Sequence, residues 1–370
     1  MSRVFLVEPF CGGSHAAWAQ GFAQHSQHQV VVVSHPGSFW RWRFRGGSVT
    51  LAEATQEAVE QFGQPDLVLV SSMVDLSAWL GLTRRFLGDP PVVLYMHENQ
   101  LGYPLSPQQK ANDEFPLANW RSLVAADQVW FNSDFHRQSL LSALPALLDR
   151  APDQPQHHLL SEVGAKSLVM PVGVELGDVP AAGQPNNPPL VLWNQRWDYD
   201  KNPHEVMDAL VALAEEGLSF SVALVGENVR ENPREIEEAK EKLADRVVAY
   251  GFLPREEYVR LVGQTDVVIS AAHHEFFGIA VVEALAAGAV PVLPAHQSYP
   301  ELIPEAWHEA ALYPPGQLVE RLRLVVNDFS SWHQKSEGLA FEMRRFSWAS
   351  VAADYDSQID ELLTRYGQGL

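Results

Sequence analysis

Short apolar runs alternate along this chain with longer stretches in which apolar and polar residues mix at helical spacing. The runs are nearly continuous in Val, Leu and Ile, which is typical of parallel strands that helices cover on both faces. The predicted strands are Val4–Val7, Val30–Val33, Leu67–Val70, Val92–Met96, Val129–Phe131, Leu168–Met170, Leu190–Trp193, Phe220–Val225, Val247–Tyr250, Val267–Ser270 and Val290–Leu293. The pattern therefore predicts a doubly wound α/β fold, in which ligands bind beyond the carboxyl ends of the strands.

The strand–helix pattern occurs twice, and a stretch of turn-forming residues at 177–189 separates the two copies. We interpret this stretch as a linker between two Rossmann-like domains with a cleft between them. The expected domains are 1–175 on the acceptor side and 188–345 for binding a nucleotide. Residues 346–370 are expected to form a helix that packs across both domains, and 144–161 are expected to form a mobile loop.

Composition narrows the class of protein. The chain has 370 residues, of which 46% are hydrophobic, so a folded protein of two domains is expected. No apolar run is long enough for a membrane span, and the start of the chain does not have the layout of a signal peptide. The single cysteine, Cys11, fits a reducing compartment such as the cytoplasm. A net charge of −20 argues against general polyanion binding, although it leaves room for a local basic patch.

Two glutamates flank a glycine near the end of the second copy. Glu275 is expected in the loop after a strand, and Glu283 about one turn inside a helix that begins near Gly278. A helix N-terminus exposes unpaired N–H groups and binds anions such as phosphate. One acid on either side of a bound phosphate suits a sugar nucleotide, because a diphosphate joins its sugar to its ribose.

Two cations follow the first strand of the second copy. Arg196 and Lys201 precede a helix that Pro203 is expected to start, and they suit the charge of a diphosphate leaving group. The alternative is an exposed loop in which they pair with Asp198 or Asp200. These two acids also have the spacing of a metal site, but two cations make a metal unnecessary, so no metal is expected.

Other polar or glycine-rich turns follow predicted strands. Gly12 and Gly13 allow close approach to a phosphate or sugar. Gly226-Glu227-Asn228 and Gly251-Phe252-Leu253 are candidates for a nucleoside pocket, although each alone is more typical of a turn. His97-Glu98-Asn99-Gln100 is either a structural hydrogen-bond network or a set that contacts sugar or acceptor.

Aromatic and basic residues alternate strictly in the segment Trp40-Arg41-Trp42-Arg43-Phe44-Arg45. In an extended strand the three arginines would share one face and the three aromatics the other. The segment is then either an edge strand with a buried aromatic face or a cationic face for an RNA backbone, with aromatics for stacking.

Taken together, these residues resemble a retaining glycosyltransferase of the GT4 type with the GT-B architecture, across nearly the whole chain. Its pair of glutamates is matched by Glu275 and Glu283, and its upstream cations by Arg196 and Lys201. The narrower combination is similar to the tRNA-queuosine α-mannosyltransferase family. The residues that carry this likeness are Gly12-Gly13-Ser14-His15, Trp40-Arg41-Trp42-Arg43, His97-Glu98-Asn99-Gln100, Phe131-Asn132-Ser133 and Glu275-Phe276-Phe277-Gly278.

The resemblance implies transfer of mannose from GDP-mannose to queuosine in tRNA. Glu275 would hold sugar hydroxyls, Glu283 the ribose, and the two cations the departing diphosphate. Backbone groups of Phe277, Gly278 and Ile279 would bind a phosphate, and those of 251–253 the base. His97 and Gly13 would approach the sugar from the first domain. Contacts of Arg41, Arg43, Arg45, Glu98 and Asn99 with the acceptor are also expected, whereas no membrane and no obligate protein partner are.

Two alternatives remain open at this point. The same chemistry would serve a small-molecule, lipid or polysaccharide acceptor. A non-catalytic module that binds a sugar nucleotide or RNA is the other, but the complete set of Glu275, Glu283, Arg196 and Lys201 argues against it.

Overall fold

The computed structural model describes residues 1–102, 113–180, 183–226 and 234–368. The chain forms two compact units, of which the first comprises 1–173 and 348–370 and the second comprises 174–347. The chain thus changes unit after Gly173 and returns at Trp348. None of the helices among the described residues is long and apolar enough to cross a membrane.

The first unit contains a parallel six-stranded sheet. Its strands are β1 (Arg3–Cys11), β2 (Gln29–Pro36), β3 (Leu67–Ser71), β4 (Val92–Met96), β5 (Gln128–Phe131) and β6 (Ser167–Val169). Its helices before the change of unit are α1 (Gly13–His25), α2 (Trp40–Phe62), α3 (Leu76–Thr83), α4 (Glu114–Ala125), α5 (Asp134–Leu148) and α6 (Leu160–Ala165), with a 3₁₀ turn at His157–Leu159.

The second unit contains another parallel six-stranded sheet. Its strands are β7 (Leu190–Trp193), β8 (Ser221–Val225), β9 (Val247–Gly251), β10 (Val267–Ile269), β11 (Val290–Pro294) and β12 (Leu312–Tyr313). Its helices are α7 (Pro203–Glu215), α8 (Arg234–Leu243), α9 (Arg255–Val262), α10 (Ile279–Ala286), α11 (Tyr299–Leu302), α12 (His308–Ala311), α13 (Leu318–Asn327), α14 (Phe329–Lys335) and α15 (Leu339–Glu342). Its 3₁₀ turns are Tyr199–Lys201, Ala244–Arg246, Glu305–Trp307 and Met343–Phe346, and the chain then enters α16 (Trp348–Gly367) of the first unit.

Both sheets are doubly wound, but their strand orders differ: one strand lies beyond β1 in the first unit, whereas two lie beyond β7 in the second. The order is β2-β1-β3-β4-β5-β6 in the first and β12-β11-β10-β7-β8-β9 in the second. Strands β4, β7 and β10 are wholly apolar and buried, so burial of side chains on both faces drives each sheet to form. Each predicted strand is confirmed in place. The added strand β12 has two residues, too few for an apolar run to be recognised.

The segment of alternating aromatics and arginines is wrong as a strand, because it forms the start of α2. Its buried positions include Phe44, Leu51, Thr55 and Ala58, which is helical spacing. Six residues of alternating character were compatible with a strand, whereas the following two turns fix the helix. The three arginines consequently do not share one face: residues two apart in a helix point about 200° from each other, so Arg43 lies opposite Arg41 and Arg45.

The expected mobile loop at 144–161 is also wrong in part. Its first residues complete α5, and a 3₁₀ turn and α6 occupy its second half. Leu144, Leu147 and Leu148 are buried in the core of the first unit, which explains why α5 continues through Pro145. The predicted linker packs onto the second unit, where Asn186 donates hydrogen bonds to Asp266 from its backbone N–H (3.1 Å) and its amide nitrogen (2.8 Å).

Trp348, the first residue of α16, is buried against two glycines of the first unit. A Cβ placed on Gly21 would lie 2.1 Å from the indole nitrogen of Trp348, and one on Gly173 would lie 2.3 Å from its ring. Both glycines therefore leave the space that the indole fills. This packing attaches α16 to α1.

We expect Gly21→Ala to lower the free energy of unfolding by about 1–3 kcal/mol, because the added methyl group overpacks the indole site. Urea unfolding of the full chain measures this. Gly81→Ala is the matched control: Gly81 lies in α3 with open space around it, so the helix propensity of alanine should raise stability by up to about 1 kcal/mol. Equal effects of the two changes would contradict the packing argument.

Candidate active site

The order of the second sheet brings two of the predicted motifs together. Strands β7 and β10 are neighbours, and the chain leaves β7 toward β8 and β9 but leaves β10 toward β11 and β12. The carboxyl ends of β7 and β10 therefore form a topological switch point, where open α/β sheets bind ligands. Arg196 and Lys201 follow β7, and Glu275 follows β10.

Lys201 connects the two loops at this point. Its ammonium group donates to the backbone oxygen of His274 at 2.8 Å and to Oε2 of Glu275 at 3.0 Å. Oδ2 of Asp200 lies 3.4 Å from the same Nζ. Lys201 is only 8% exposed, so its charge is balanced by two carboxylates rather than by water. The loop that carries Glu275 is thereby fixed to the loop after β7.

Arg196 lies on the solvent side of the same cluster. One guanidinium nitrogen is 3.7 Å from Oδ2 of Asp200, and the side chain is 45% exposed. Asp200 itself is buried beneath the two cations. Asp198 has a different role, because its Oδ1 accepts from the backbone N–H of Tyr199 at 2.9 Å and caps the 3₁₀ turn. The two acids are thus occupied by contacts within the protein.

Glu275 stands directly before a helix N-terminus. Its Oε1 accepts from the backbone N–H of Phe277 at 3.4 Å, and the chain then turns through Gly278, whose φ is +98°. Glycine adopts this angle without strain. Helix α10 begins at Ile279, as predicted, and the N–H groups of its first turn have no partner within the helix. An acid and an anion-binding helix end therefore lie side by side.

A buried hydrogen-bond network lies below Glu275. The Ser270 hydroxyl contacts the Tyr299 hydroxyl at 2.7 Å and donates to the Gln195 amide oxygen at 3.1 Å, while the Gln195 amide nitrogen donates to Tyr299 at 3.2 Å. Burial and then the charge of Glu275 raise the pKa of Tyr299 well above its ordinary value, so it stays neutral. The network supports the ends of β7 and β10, and no sequence motif indicated it.

Glu283 lies in the first turns of α10 and is held from two sides. Its Oε1 accepts from Arg255 at 2.5 Å and its Oε2 from the Tyr258 hydroxyl at 2.8 Å. Asn194 donates to the same hydroxyl at 3.0 Å and to the backbone oxygen of Ala280 at 2.8 Å. Burial, followed by the charge of Glu283, raises the pKa of Tyr258 well above its usual range.

Arg255, Tyr258 and Asn194 were missed by the sequence analysis. Arg255 and Tyr258 precede Glu283 by 28 and 25 residues, beyond the reach of a local motif. Their only signal in the sequence was a basic and an aromatic residue three positions apart in a short amphipathic segment.

The two glycine turns after β8 and β9 are adjacent. The N–H of Gly226 donates to the backbone oxygen of Gly251 at 3.1 Å. A Cβ on Gly226 would lie 2.0 Å from the backbone oxygen of Gln195, so only glycine fits there. Gly251 has a φ of +89°, Phe252 is 74% exposed and Leu253 is half-buried. Glu227 and Asn228 lie outside the described residues.

In the first unit, Gly12 and Gly13 connect β1 to α1. A Cβ on Gly12 would lie 2.9 Å from the Cα of Gly37, so this glycine permits the loops after β1 and β2 to touch. Gly13 has a φ of +52° and open space where a side chain would stand. The backbone of Gly13 is thus accessible at the start of α1.

His97 lies in a buried cluster with Glu8 and His15. His15 Nδ1 is 3.0 Å from Oε2 of Glu8, and His97 Nε2 is 3.9 Å from the same oxygen. The imidazole rings of the two histidines lie 4.2 Å apart. Burial, then the proximity of His15 and His136, lowers the pKa of His97 well below its ordinary value, so His97 is neutral. These ligand atoms lie within 4.8 Å of one another, which would suit a metal ion. The sequence analysis did not single out Glu8.

Glu98 and Asn99 are engaged in the turn after β4. Oε1 of Glu98 accepts from the amide of Gln100 at 2.9 Å. Oδ1 of Asn99 accepts from the backbone N–H groups of Leu101 at 3.1 Å and Gly102 at 2.7 Å. These contacts are those of a structural hydrogen-bond network, which was one of the two interpretations of this motif.

The three arginines of α2 have different surroundings. Arg45 forms a bidentate ion pair with Glu114, and Arg41 lies over the ring of Trp40 at 5.2 Å. Arg43 is half-buried, and its charge lowers the pKa of His35 further than burial alone does. Arg41 is exposed.

The fold and this constellation define the class of protein. The chain is similar in fold to sucrose-phosphate synthase from Thermosynechococcus elongatus, with a TM-score of 0.74 and 16% identity, covering 99% of this chain and 100% of that one. The catalytic domain of starch synthase IV from Arabidopsis thaliana gives a TM-score of 0.73 at 13% identity, covering 98% and 99%. Residues 178–337 match the family model of glycosyl transferases group 1. The protein is a glycosyltransferase of the GT-B type.

The family within this class follows from two further matches. Residues 3–174 match the N-terminal model of tRNA-queuosine alpha-mannosyltransferase. The Drosophila melanogaster protein of that name is 32% identical over 314 residues, which are 82% of this chain and 82% of that protein. The chain belongs to the tRNA-queuosine α-mannosyltransferase family. A GDP-mannose:cellobiosyl-diphosphopolyprenol alpha-mannosyltransferase from Xanthomonas oryzae pv. oryzae (strain PXO99A) is 24% identical over 92% of this chain and 83% of that protein.

The pH dependence of stability should report on His274, which lies beside Lys201. Burial and then the Lys201 charge lower its pKa from 6.5 to about 4. Between these values the unfolded chain binds the proton and the folded protein does not, so stability falls as the pH is lowered through this window. His274 should account for up to about 3 kcal/mol of the loss between about pH 7 and pH 4.

Urea unfolding at several pH values tests this expectation. His274→Asn should remove most of that pH-dependent loss, whereas the same change at the exposed His204 should remove little. An unchanged pH dependence in His274→Asn would show that the buried histidine is not the responsible group.

Proposed function

We propose that this enzyme transfers mannose from GDP-mannose to a hydroxyl of queuosine in tRNA, with retention of the anomeric configuration. The observation that carries the acceptor is the 32% identity to the Drosophila tRNA-queuosine alpha-mannosyltransferase over most of both chains. GDP-mannose as donor is supported by the printed name of the Xanthomonas relative. An acceptor in tRNA would place the enzyme in the cytoplasm.

In this proposal the switch point of the second unit binds the donor. The bond between the mannose anomeric carbon and the diphosphate oxygen breaks, and GDP leaves with the electron pair. The acceptor oxygen bonds to the same face of the anomeric carbon, and its proton passes to the departing diphosphate. The charge that develops on the diphosphate is what preorganised cations and N–H groups stabilise.

Lys201 and Arg196 have different contacts, and we expect them to have different roles. Lys201 already donates to protein acceptors, so it positions Glu275 and adds positive charge beneath the diphosphate. Arg196 has an exposed fork of N–H donors, which suits direct contact with phosphate oxygens. The N–H groups of Gly278 and Ile279 would be further donors to the diphosphate, and the N–H of Phe277 would exchange its 3.4 Å contact with Glu275 for a phosphate oxygen. Glu275 would then accept from mannose hydroxyls.

The remaining contacts with the sugar nucleotide would come from loops at the carboxyl ends of the strands of the second sheet. Glu283 retains lone pairs beside Arg255 and Tyr258, and these would accept from ribose hydroxyls. The backbone of Gly251, Phe252 and Leu253 would meet the base next to Gly226. Contacts of Gly12, Gly13 and His97 with the sugar, and of Glu98 and Asn99 with the acceptor, stay predictions.

Mass spectrometry of tRNA nucleosides after incubation with GDP-mannose tests the function. The wild type should add one hexose to queuosine, and Glu275→Gln should reduce the rate at saturating donor by about 100-fold or more, because the sugar loses a charged acceptor. Arg196→Ala should cost a similar factor. Glu256→Gln, an exposed acid of α9, is the matched control and should retain the wild-type rate.

Two results would contradict this assignment. Full activity of folded Glu275→Gln would show that the donor sugar lies elsewhere. Wild-type enzyme that hydrolyses or transfers mannose but never modifies tRNA would favour the small-molecule, lipid or polysaccharide acceptor.

Activity is expected to survive EDTA, because Arg196, Lys201 and the start of α10 already supply positive charge for the diphosphate. The comparison is the transfer rate before and after chelation and gel filtration. A loss that is restored by added Zn²⁺ or Mn²⁺ would contradict the expectation. Repeating the restoration with Glu8→Gln would then show whether the Glu8, His15 and His97 cluster holds the ion.

A further inference from the structure

The first turn of α2 exposes two large aromatic side chains. Phe39 is 78% exposed and Trp42 is 70% exposed. The other two aromatics of this turn point inward: Trp40 and Phe44 pack on Phe115 with ring centroids 5.6 and 5.0 Å away. Phe44 is thus buried and Trp40 half-buried, whereas Phe39 and Trp42 remain in solvent. Single exposed aromatics are ordinary, but here two lie three residues apart at the start of one helix.

The backbone holds this pair in a fixed arrangement. Phe39 adopts the left-handed conformation with a φ of +54°, which is costly for a residue with a side chain. Its backbone oxygen accepts from the N–H groups of Trp42 at 2.9 Å and Arg43 at 3.0 Å. A glycine would take this angle without strain, and the exposed ring of Phe39 gains little from burial, so folding does not account for an aromatic side chain at this position.

The pair also lies at the carboxyl edge of the first sheet. The segment that leads into α2 follows β2, and its Gly37 touches Gly12 after β1. Strands β1 and β3, which flank the switch point of this sheet, end at the same edge. Parallel sheets bind their ligands at this edge.

The sequence around the start of α2 lacks acidic residues, which favours the binding of a polyanion there. The sequence has 46 acidic residues among 370, yet none stands between Glu8 and Glu53. Arg41, Arg43 and Arg45 lie within that interval. Arg45 is neutralised by Glu114, whereas Arg41 is exposed beside Trp42. The start of α2 therefore combines two exposed aromatic rings with one exposed arginine, Arg41, in a stretch of sequence that has no acidic residue.

We infer that Phe39 and Trp42, flanked by Arg41, form a stacking platform for unpaired bases of the RNA acceptor. Aromatic rings stack on bases only where the bases are free of a duplex, while an arginine binds the phosphates of either form. The platform would thus select a looped, single-stranded region and hold it at the edge of the first sheet. This inference rests on the proposed RNA acceptor.

Binding of labelled RNAs by fluorescence anisotropy tests the platform. The probes are an RNA hairpin with an unpaired loop and a blunt RNA duplex of the same length and charge. Trp42→Ala should weaken hairpin binding about 5- to 100-fold, as expected for one lost stacking contact, and leave duplex binding within about 2-fold. Arg41→Ala should weaken both, since it removes a phosphate contact.

Three further variants separate binding from folding. Phe39→Gly should weaken hairpin binding without lowering the unfolding temperature, because glycine accepts the positive φ. Trp42→Phe should restore most of the affinity that Trp42→Ala loses. Phe341→Ala removes a ring that is 67% exposed in the second unit and should change neither RNA affinity nor stability.

The platform is overturned if Trp42→Ala binds the hairpin like the wild type, or if it weakens hairpin and duplex equally. If the wild type modifies tRNA and Trp42→Ala binds and modifies it equally well, the platform is overturned but the proposed function stands. A wild type that neither binds nor modifies any tRNA would instead remove the proposed acceptor, and the inference with it.

Discussion

The ammonium group of Lys201 holds together the two loops that form the candidate site of the second unit. It joins the loop after β7 to the loop after β10 through the backbone oxygen of His274 and the carboxylate of Glu275. A buried cation of this kind is stable only while its carboxylate partners remain in place, so each group fixes the others. Burial, and after it the charge of the nearby Lys201, lowers the pKa of His274, so its imidazole is a poor site for a proton.

The charged cluster of Arg196, Asp200, Lys201 and Glu275 lies next to a neutral hydrogen-bond network and next to the N-terminus of α10. These three parts of the site have different roles. Ser270, Gln195 and Tyr299 form a neutral network that supports the strand ends. The acidic and basic groups above it are balanced within the protein. The start of α10 adds N–H donors whose partner is absent from the helix itself. Such an arrangement can accept an anion without rearranging, which is the property that electrostatic catalysis requires.

Local patterns predicted those features that depend on neighbours in sequence. The strands, the helix that begins after Gly278 and the helix that starts at Pro203 followed from apolar runs and from residues that favour helix starts. Contacts across the unit did not follow, because a pattern of a few residues cannot show that Gln195 meets Tyr299 or that Arg255 meets Glu283. The alternating segment at the start of α2 was misread for a related reason. Its helical period becomes visible only when Leu51, Thr55 and Ala58 are included.

The central claim is that the donor binds at the switch point between β7 and β10. Hydrogen–deuterium exchange of the full chain with and without GDP-mannose tests it directly. The account predicts slower exchange in two segments, 194–202 and 273–283, and unchanged exchange at the start of α2. Slower exchange confined to other segments, with both switch-point loops unaffected at saturating donor, would contradict it.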